Sequence, residues 1–146
     1  MKHEQVAEKV HRSALRLLRR LRKADETLNI STARLSALSV LVFIGPQTVG
    51  TLARIEQVAQ PTMTSLTQGL ISQGLVRAKS DQDDRRVRRL EATAKGKKLL
   101  YRGRKNRIEM LASMMGKLPA SDIKVLNRAA TLIDQLLTET TVSEMD

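Results

Sequence analysis

Between Val6 and Leu28 the apolar residues fall at Val6, Val10, Ala14, Leu17, Leu21, Ala24 and Leu28. Steps of four and three put them on one stripe of a helix. Arg12, Arg16, Arg19, Arg20, Arg22 and Lys23 fill much of the remaining surface. A helix this long with one apolar stripe must be covered by another surface, which points toward helix-on-helix packing. The side chains available for a core agree. Phe43 and Tyr101 are the only aromatic residues, so Leu, Val, Ile, Ala and Met must build it. The apolar share, 41%, suffices for a folded core, and 146 residues fit one compact domain with helical extensions.

The chain then breaks at Asn29–Ser31, where Ser31 or Thr32 caps a second helix running to about Ile44. Gly45-Pro46-Gln47 ends that helix. Thr48 caps a short helix to about Gln57, with Leu52, Ala53 and Ile55 as its inward side chains. A further helix opens at Gln60-Pro61, where proline's missing N–H is harmless, and runs to Gln73 before Gly74. Residues 75–80 and 87–92 read as two short strands around a polar tip, Asp81-Gln82-Asp83-Asp84-Arg85-Arg86. Two long amphipathic helices follow, about 94–116 and 121–140, divided at Leu118-Pro119. The predicted fold class is mainly α with one small β-hairpin.

Charge narrows the function. The formal net charge is +11, and 13 of the 26 basic residues lie between Arg77 and Arg107. Clustering of this kind marks a phosphate-binding surface better than a solubilising one. Other classes fall away. There is no cysteine, hence no disulfide, thiolate nucleophile or thiol-based redox sensing. His3 and His11 lack metal-site spacing, and Asp81, Asp83 and Asp84 lack the remaining ligands of a calcium loop, so no metal and no cofactor is expected. No nucleophile-elbow, phosphate-loop or metalloprotease motif is present, which argues against an enzyme. No run of apolar residues suits a signal peptide or a membrane span, and a cytoplasmic protein is expected. Residues 95–107 lack the Trp or Phe anchors of a membrane-surface helix. Single-stranded nucleic acid would need aromatic platforms that the chain lacks.

Two short helices and a basic hairpin form a unit for reading duplex DNA. The second helix enters the major groove and the hairpin reaches the neighbouring groove. Around the helix 60–73, Met63, Leu66 and Leu70 project to one side. Pro61, Thr64, Ser65, Gln68 and Ser72 project to the other, with Thr62 on the flank. That outer face is short, polar and uncharged, and it offers donors and acceptors for base edges and phosphates. Thr51-Leu52-Ala53, Pro61 to Leu66, Leu70 to Val76, Asp81 to Arg86 and Leu90 to Gly96 together resemble the MarR family of bacterial transcription regulators. The family's wing pattern, Asp-Pro-x-Asp-Arg-Arg and then Leu-x-Leu-Thr-x-x-Gly, is matched nearly in register. Gln82 departs from its proline, Ala92 from its leucine, and Ala59 from the usual capping residue.

The resemblance implies a homodimer with one winged helix-turn-helix lobe per subunit. Residues 1–30 and 117–146 would be dimerisation helices, 31–93 the lobe and 94–116 a connecting helix, all within one domain spanning 1–146. It places the minor-groove arginine on Arg86 and the acid that orients it on Asp84. The expected DNA-binding set is Gln60, Pro61, Thr62, Thr64, Ser65, Gln68, Asp84, Arg85, Arg86 and Arg88. The resemblance also implies a pocket for a small aromatic or drug-like ligand, for which His11, Arg16, Phe43 and Tyr101 are candidate liners. The expected function is a sequence-specific regulator of transcription, a repressor released by a small ligand, acting at an inverted-repeat operator. With no Arg or Lys on the recognition face to pair with guanine, A·T-rich half-sites are expected. The alternative is a basic architectural protein that coats DNA with little sequence preference.

Overall fold

The computed structural model describes residues 2–143, with side chains through residue 138. Its order is α1 (His3–Asp25), a 3-10 turn (Glu26–Leu28), α2 (Thr32–Phe43), α3 (Val49–Ile55), α4 (Gln60–Ser72), β1 (Val76–Ser80), β2 (Arg88–Ala92), α5 (Ala94–Met115) and α6 (Ala120–Ser143). The mainly helical class with one hairpin is the expected one. The chain forms two compact units, one ending at Arg107 and the other beginning at Ile108.

Local chemistry explains most boundaries in the first unit. The Ser31 hydroxyl accepts from the Arg34 N–H at 3.2 Å, and Thr48 does the same for Thr51, so both helices begin on capped orphan donors. Gly45 ends α2 at φ +112°, and Gly74 follows α4 at φ +70°, conformations that an L side chain resists. Ala59 precedes α4 with no side-chain cap, but Pro in the first turn leaves one fewer N–H to satisfy. β1 and β2 pair antiparallel with Val76 opposite Ala92, Ala78 opposite Leu90 and Ser80 opposite Arg88. One residue of each expected strand, Leu75 and Val87, lies outside the ladder.

The core is aliphatic throughout. Leu28, Leu35, Leu38, Leu41, Leu52, Met63, Leu70, Leu75, Val76, Leu90 and Leu100 are buried in one cluster, and Ile30, Val42, Val49, Leu66, Ala78, Ala92 and Leu99 pack against it. Both aromatic side chains stay outside; Phe43 is 66% exposed. Ile55, read from sequence as inward, is 40% exposed at the last position of α3, which turns Val49, Leu52 and Ala53 to the core instead. Thr67 is the reverse case. It is buried, and its hydroxyl donates to the carbonyls of Met63 and Thr64 at 2.9 and 3.0 Å, which removes the cost of an unpaired polar group. Gln47 also exchanges two backbone hydrogen bonds with Leu90, at 2.7 and 3.1 Å, adding a one-residue bridge to the β2 edge of the hairpin.

One glycine fixes how α5 meets the hairpin. A Cβ at Gly96 would collide with the Leu75 carbonyl oxygen and stand 3.1 Å from Leu38 Cδ1. Thr93 secures the same junction: its hydroxyl donates to the Gly74 carbonyl at 2.7 Å and accepts from the Gly96 N–H at 3.1 Å. Lys95 Nζ donates to the Gln73 carbonyl at 2.8 Å, so the start of α5 is tied to the end of α4.

In the second unit, α6 buries none of its described side chains and exposes Val125, Leu126, Leu132, Ile133, Leu136 and Leu137.

Candidate nucleic-acid interface

α3 and α4 form the helix-turn-helix. Val58 N–H donates to the Ala53 carbonyl at 3.0 Å across the turn, where Gln57 takes φ 56°. Met63, Thr67 and Leu70 anchor α4 inward. Pro61, Thr62, Ser65, Gln68 and Ser72 are exposed on it, and Thr64 is half-buried. The Thr64 hydroxyl donates to the Gln60 carbonyl at 3.0 Å, so its proton is engaged and its lone pairs remain for an incoming donor. Gln60 leans toward α3: a Cβ at Gly50 would be 3.6 Å from its amide oxygen. The outer face of α4 is thus a row of small hydroxyls and one free-standing amide, Gln68.

The hairpin carries the charge. Val76, Ala78, Leu90 and Ala92 turn inward, and the alternate positions are charged. Arg77 and Glu91 lie opposite each other and form an ion pair. Lys79 and Arg89 also lie opposite each other, with like charge, and Asp81 relieves the repulsion by accepting from Arg89 Nε at 2.9 Å. That hydrogen bond holds the Asp81 carboxyl below the usual carboxylate range. The Asp81 N–H donates to the Val87 carbonyl at 2.8 Å, so the strand end is closed although Gln82 stands where the family pattern has proline.

At the tip, Asp84 Oδ1 accepts from the Arg86 backbone N–H at 3.0 Å and from Arg86 Nε at 3.3 Å. The arginine makes no other side-chain hydrogen bond or ion pair among the described residues, and its side chain is 93% exposed. Arg85 and Arg88 are exposed beside it and make no ion pair among the described residues. The arrangement is a rigid polar helix and a two-stranded arm ending in guanidinium groups, one of them aimed by a carboxylate.

The four candidate ligand-pocket residues are not gathered in one place. His11 and Arg16 are exposed on α1, and Phe43 at the end of α2. Tyr101 lines a cleft of about 480 Å³ along α5 with Lys95, Lys98, Leu99, Arg102 and Lys105. A different cleft, about 320 Å³, opens among α1, α2 and α5. Leu18, Leu21, Leu35, Ser36 and Leu100 line it with the ion pair of Asp25 and Arg107. Sequence reasoning missed this cleft. Its polar liners come from three separate helices, and no local pattern marks residues that converge only after folding.

Comparison with known proteins sets this geometry in a family. Residues 30–87 match the model of the MarR family. An HTH-type transcriptional regulator of Mycobacterium bovis is 34% identical over 128 residues, covering 87% of this chain and 89% of its own. The structure of a MarR family protein from Bacillus stearothermophilus superposes with TM-score 0.78 at 28% identity, covering 94% of this chain and 99% of that one. A mutant of S. aureus MepR bound to an oligodeoxyribonucleotide has the same fold, with TM-score 0.71 at 18% identity over 94% of this chain and 99% of its own. These relatives are regulators rather than enzymes. With the helix-turn-helix, β1 and the charged tip of the hairpin inside the matched segment, and the likeness running over most of the chain, this protein belongs to the MarR family of DNA-binding transcriptional regulators.

Proposed function

We propose that the chain acts in the cytoplasm as a homodimer that binds an inverted-repeat operator in double-stranded DNA and represses transcription until a small ligand releases it. The observation that carries this reading is the pairing of an uncharged polar recognition face on α4 with the exposed, carboxylate-held Arg86 on the wing. Hydroxyls and Gln68 suit base edges in the major groove, and a guanidinium suits the narrow, negative minor groove of A·T-rich DNA. A recognition face without Arg or Lys favours half-sites rich in A·T. Binding-site selection that returned G·C-rich half-sites would overturn that part.

Two helices supply the apolar surface for dimerisation. Val6, Val10 and Leu17 are exposed on α1, and Val125, Leu132 and Ile133 on α6. In this reading residues 1–30 and 117–146 pair two copies within one domain type, and their lobes meet successive major-groove faces about 34 Å apart. No described helix is long and apolar enough to cross a membrane. For the ligand, the cleft among α1, α2 and α5 offers leucines and one half-buried ion pair, a fit for a small amphipathic or aromatic molecule.

The test is binding of the full chain to the duplex upstream of its own gene against random duplex of equal length, at physiological salt, with Arg86→Ala alongside. A preference of about 10³-fold, weakened in the variant, supports the reading. Equal, steeply salt-dependent binding to both duplexes would instead indicate a DNA-coating protein.

A further inference from the structure

The recognition helix carries no cation anywhere between Gln60 and Ser72. A helix lying in the major groove is nonetheless flanked on both sides by phosphates, and a large share of protein–DNA affinity comes from meeting them. The fold brings a cation to α4 from another element. Arg34, in the first turn of α2, crosses α4 at Gly69. A Cβ at Gly69 would overlap the guanidinium, with Nε at 2.6 Å and Cζ and Nη2 closer still.

Gly69 is not required by backbone geometry, since it lies inside α4 and outside the left-handed region. A glycine within a helix costs about 1 kcal/mol relative to alanine. What it provides here is room for the Arg34 side chain to rest directly on the helix. Arg34 is half-buried, and its guanidinium makes no ion pair or hydrogen bond among the described residues. It therefore holds its donors unused beside the recognition helix. Spacings of three and four place Gly69 in line with Thr62 and Ser65, on the flank adjoining the outward row Pro61, Thr64, Gln68 and Ser72. That flank faces a phosphate wall when the outward row faces the bases.

We propose that Arg34, seated across Gly69, is a phosphate-binding residue of the DNA interface, supplied by α2 to a recognition helix that has no charge of its own. The proposal rests on the reading that α4 enters the major groove. It assigns Arg34 an affinity role without base preference, unlike Gln68.

The experiment compares wild type, Arg34→Ala, Arg34→Lys, Gly69→Ala and Arg86→Ala for binding to the gene's upstream duplex and to random duplex across a salt series, with thermal unfolding of each protein. Arg34→Ala is expected to weaken both duplexes by the same factor and to flatten the slope of log K against log salt by about 0.9 per subunit. Arg34→Lys restores the slope. Gly69→Ala, which only needs to swing a flexible guanidinium aside, reproduces the loss with a thermal midpoint no lower than wild type. This variant also decides the question if Arg34→Ala unfolds. Wild-type slope in both Arg34→Ala and Gly69→Ala, alongside weakened Arg86→Ala, overturns the proposal and leaves the groove reading standing. Absence of wild-type binding to either duplex overturns both.

Discussion

Nη1 of Arg107 in α5 donates to both carboxylate oxygens of Asp25, at the end of α1, at 3.1 and 3.2 Å across 82 residues of sequence. The side chains are only 28% and 15% exposed, so water screens this pair less than a surface ion pair. Leu28, buried next to it, packs where Gly103 leaves space: a Cβ there would stand 2.8 Å from Leu28 Cδ1. The pair thus closes the first unit at the point where α1 ends and α5 passes. It also lines the cleft among α1, α2 and α5, so one interaction contributes to packing and to the proposed ligand site.

Asp25→Ala should therefore destabilise the protein by about 1.5–3 kcal/mol, the range for a hydrogen bond to a charged group whose partner is left behind. Thermal unfolding should register this as a fall of about 2–4 °C per kcal/mol. The double variant Asp25→Ala with Arg107→Met should lose less than the sum of the single changes, since no guanidinium is then stranded. Additive losses would mean that the two groups act independently.

The junction at Gly96 predicts a sharper effect. In Gly96→Ala the new methyl meets the Leu75 carbonyl, a backbone atom already engaged by the Thr93 N–H at 3.0 Å, and neither partner has a rotamer to escape into. The expected cost is about 3 kcal/mol, the upper end for overpacking. Gly116→Ala is the control, because its nearest contacts would be ordinary ones at 3.6 Å. Equal thermal midpoints for the two variants would contradict this account of the junction.

Local rules made much of the fold legible. Of the two caps open for α2, Ser31 and not Thr32 takes the role, Thr48 caps α3 as read, Gly45 and Gly74 end the helices before them, and Met63 and Leu70 face inward. Each of these depends on residues within one turn of the chain. Features that depend on distant neighbours were not legible. Ile55 reads as inward, yet it ends α3 on the exposed side while Val49, Leu52 and Ala53 meet the core; Thr67 looks polar and is buried because its own helix satisfies the hydroxyl. The Gln47–Leu90 bridge, the Asp25–Arg107 pair and the contact of Arg34 with Gly69 join residues that no spacing relates. The wing was readable because its charges lie in one short run. The cleft among α1, α2 and α5 was not, because its lining is assembled from three helices.

At the wing tip, Asp84 serves Arg86 twice, through the backbone N–H and through Nε. Removing the acid should leave a guanidinium that still attracts DNA but is no longer held. Asp84→Ala should therefore weaken binding to the upstream duplex less than Arg86→Ala does. The double variant should match Arg86→Ala alone, since an aiming residue has nothing left to aim. Binding curves for the three variants at one salt concentration measure this. A double variant clearly weaker than Arg86→Ala would give Asp84 a separate role.

Asp81 makes the wing sensitive to acid in a defined direction. The hydrogen bond from Arg89 is the largest cause of its lowered carboxyl, followed among the stabilising contacts by the backbone N–H of Asp84. Because the folded carboxyl titrates below its unfolded value of about 3.9, its contribution to stability is present in full above that value. The contribution is lost as pH falls through the lowered folded value, and with it goes the relief of the Lys79–Arg89 repulsion. NMR titration of the Asp81 carboxyl should show a midpoint below about 3.9, and Arg89→Ala should move that midpoint up toward it. An Asp81 midpoint that does not respond to Arg89→Ala would show that the ion pair does not govern the carboxyl.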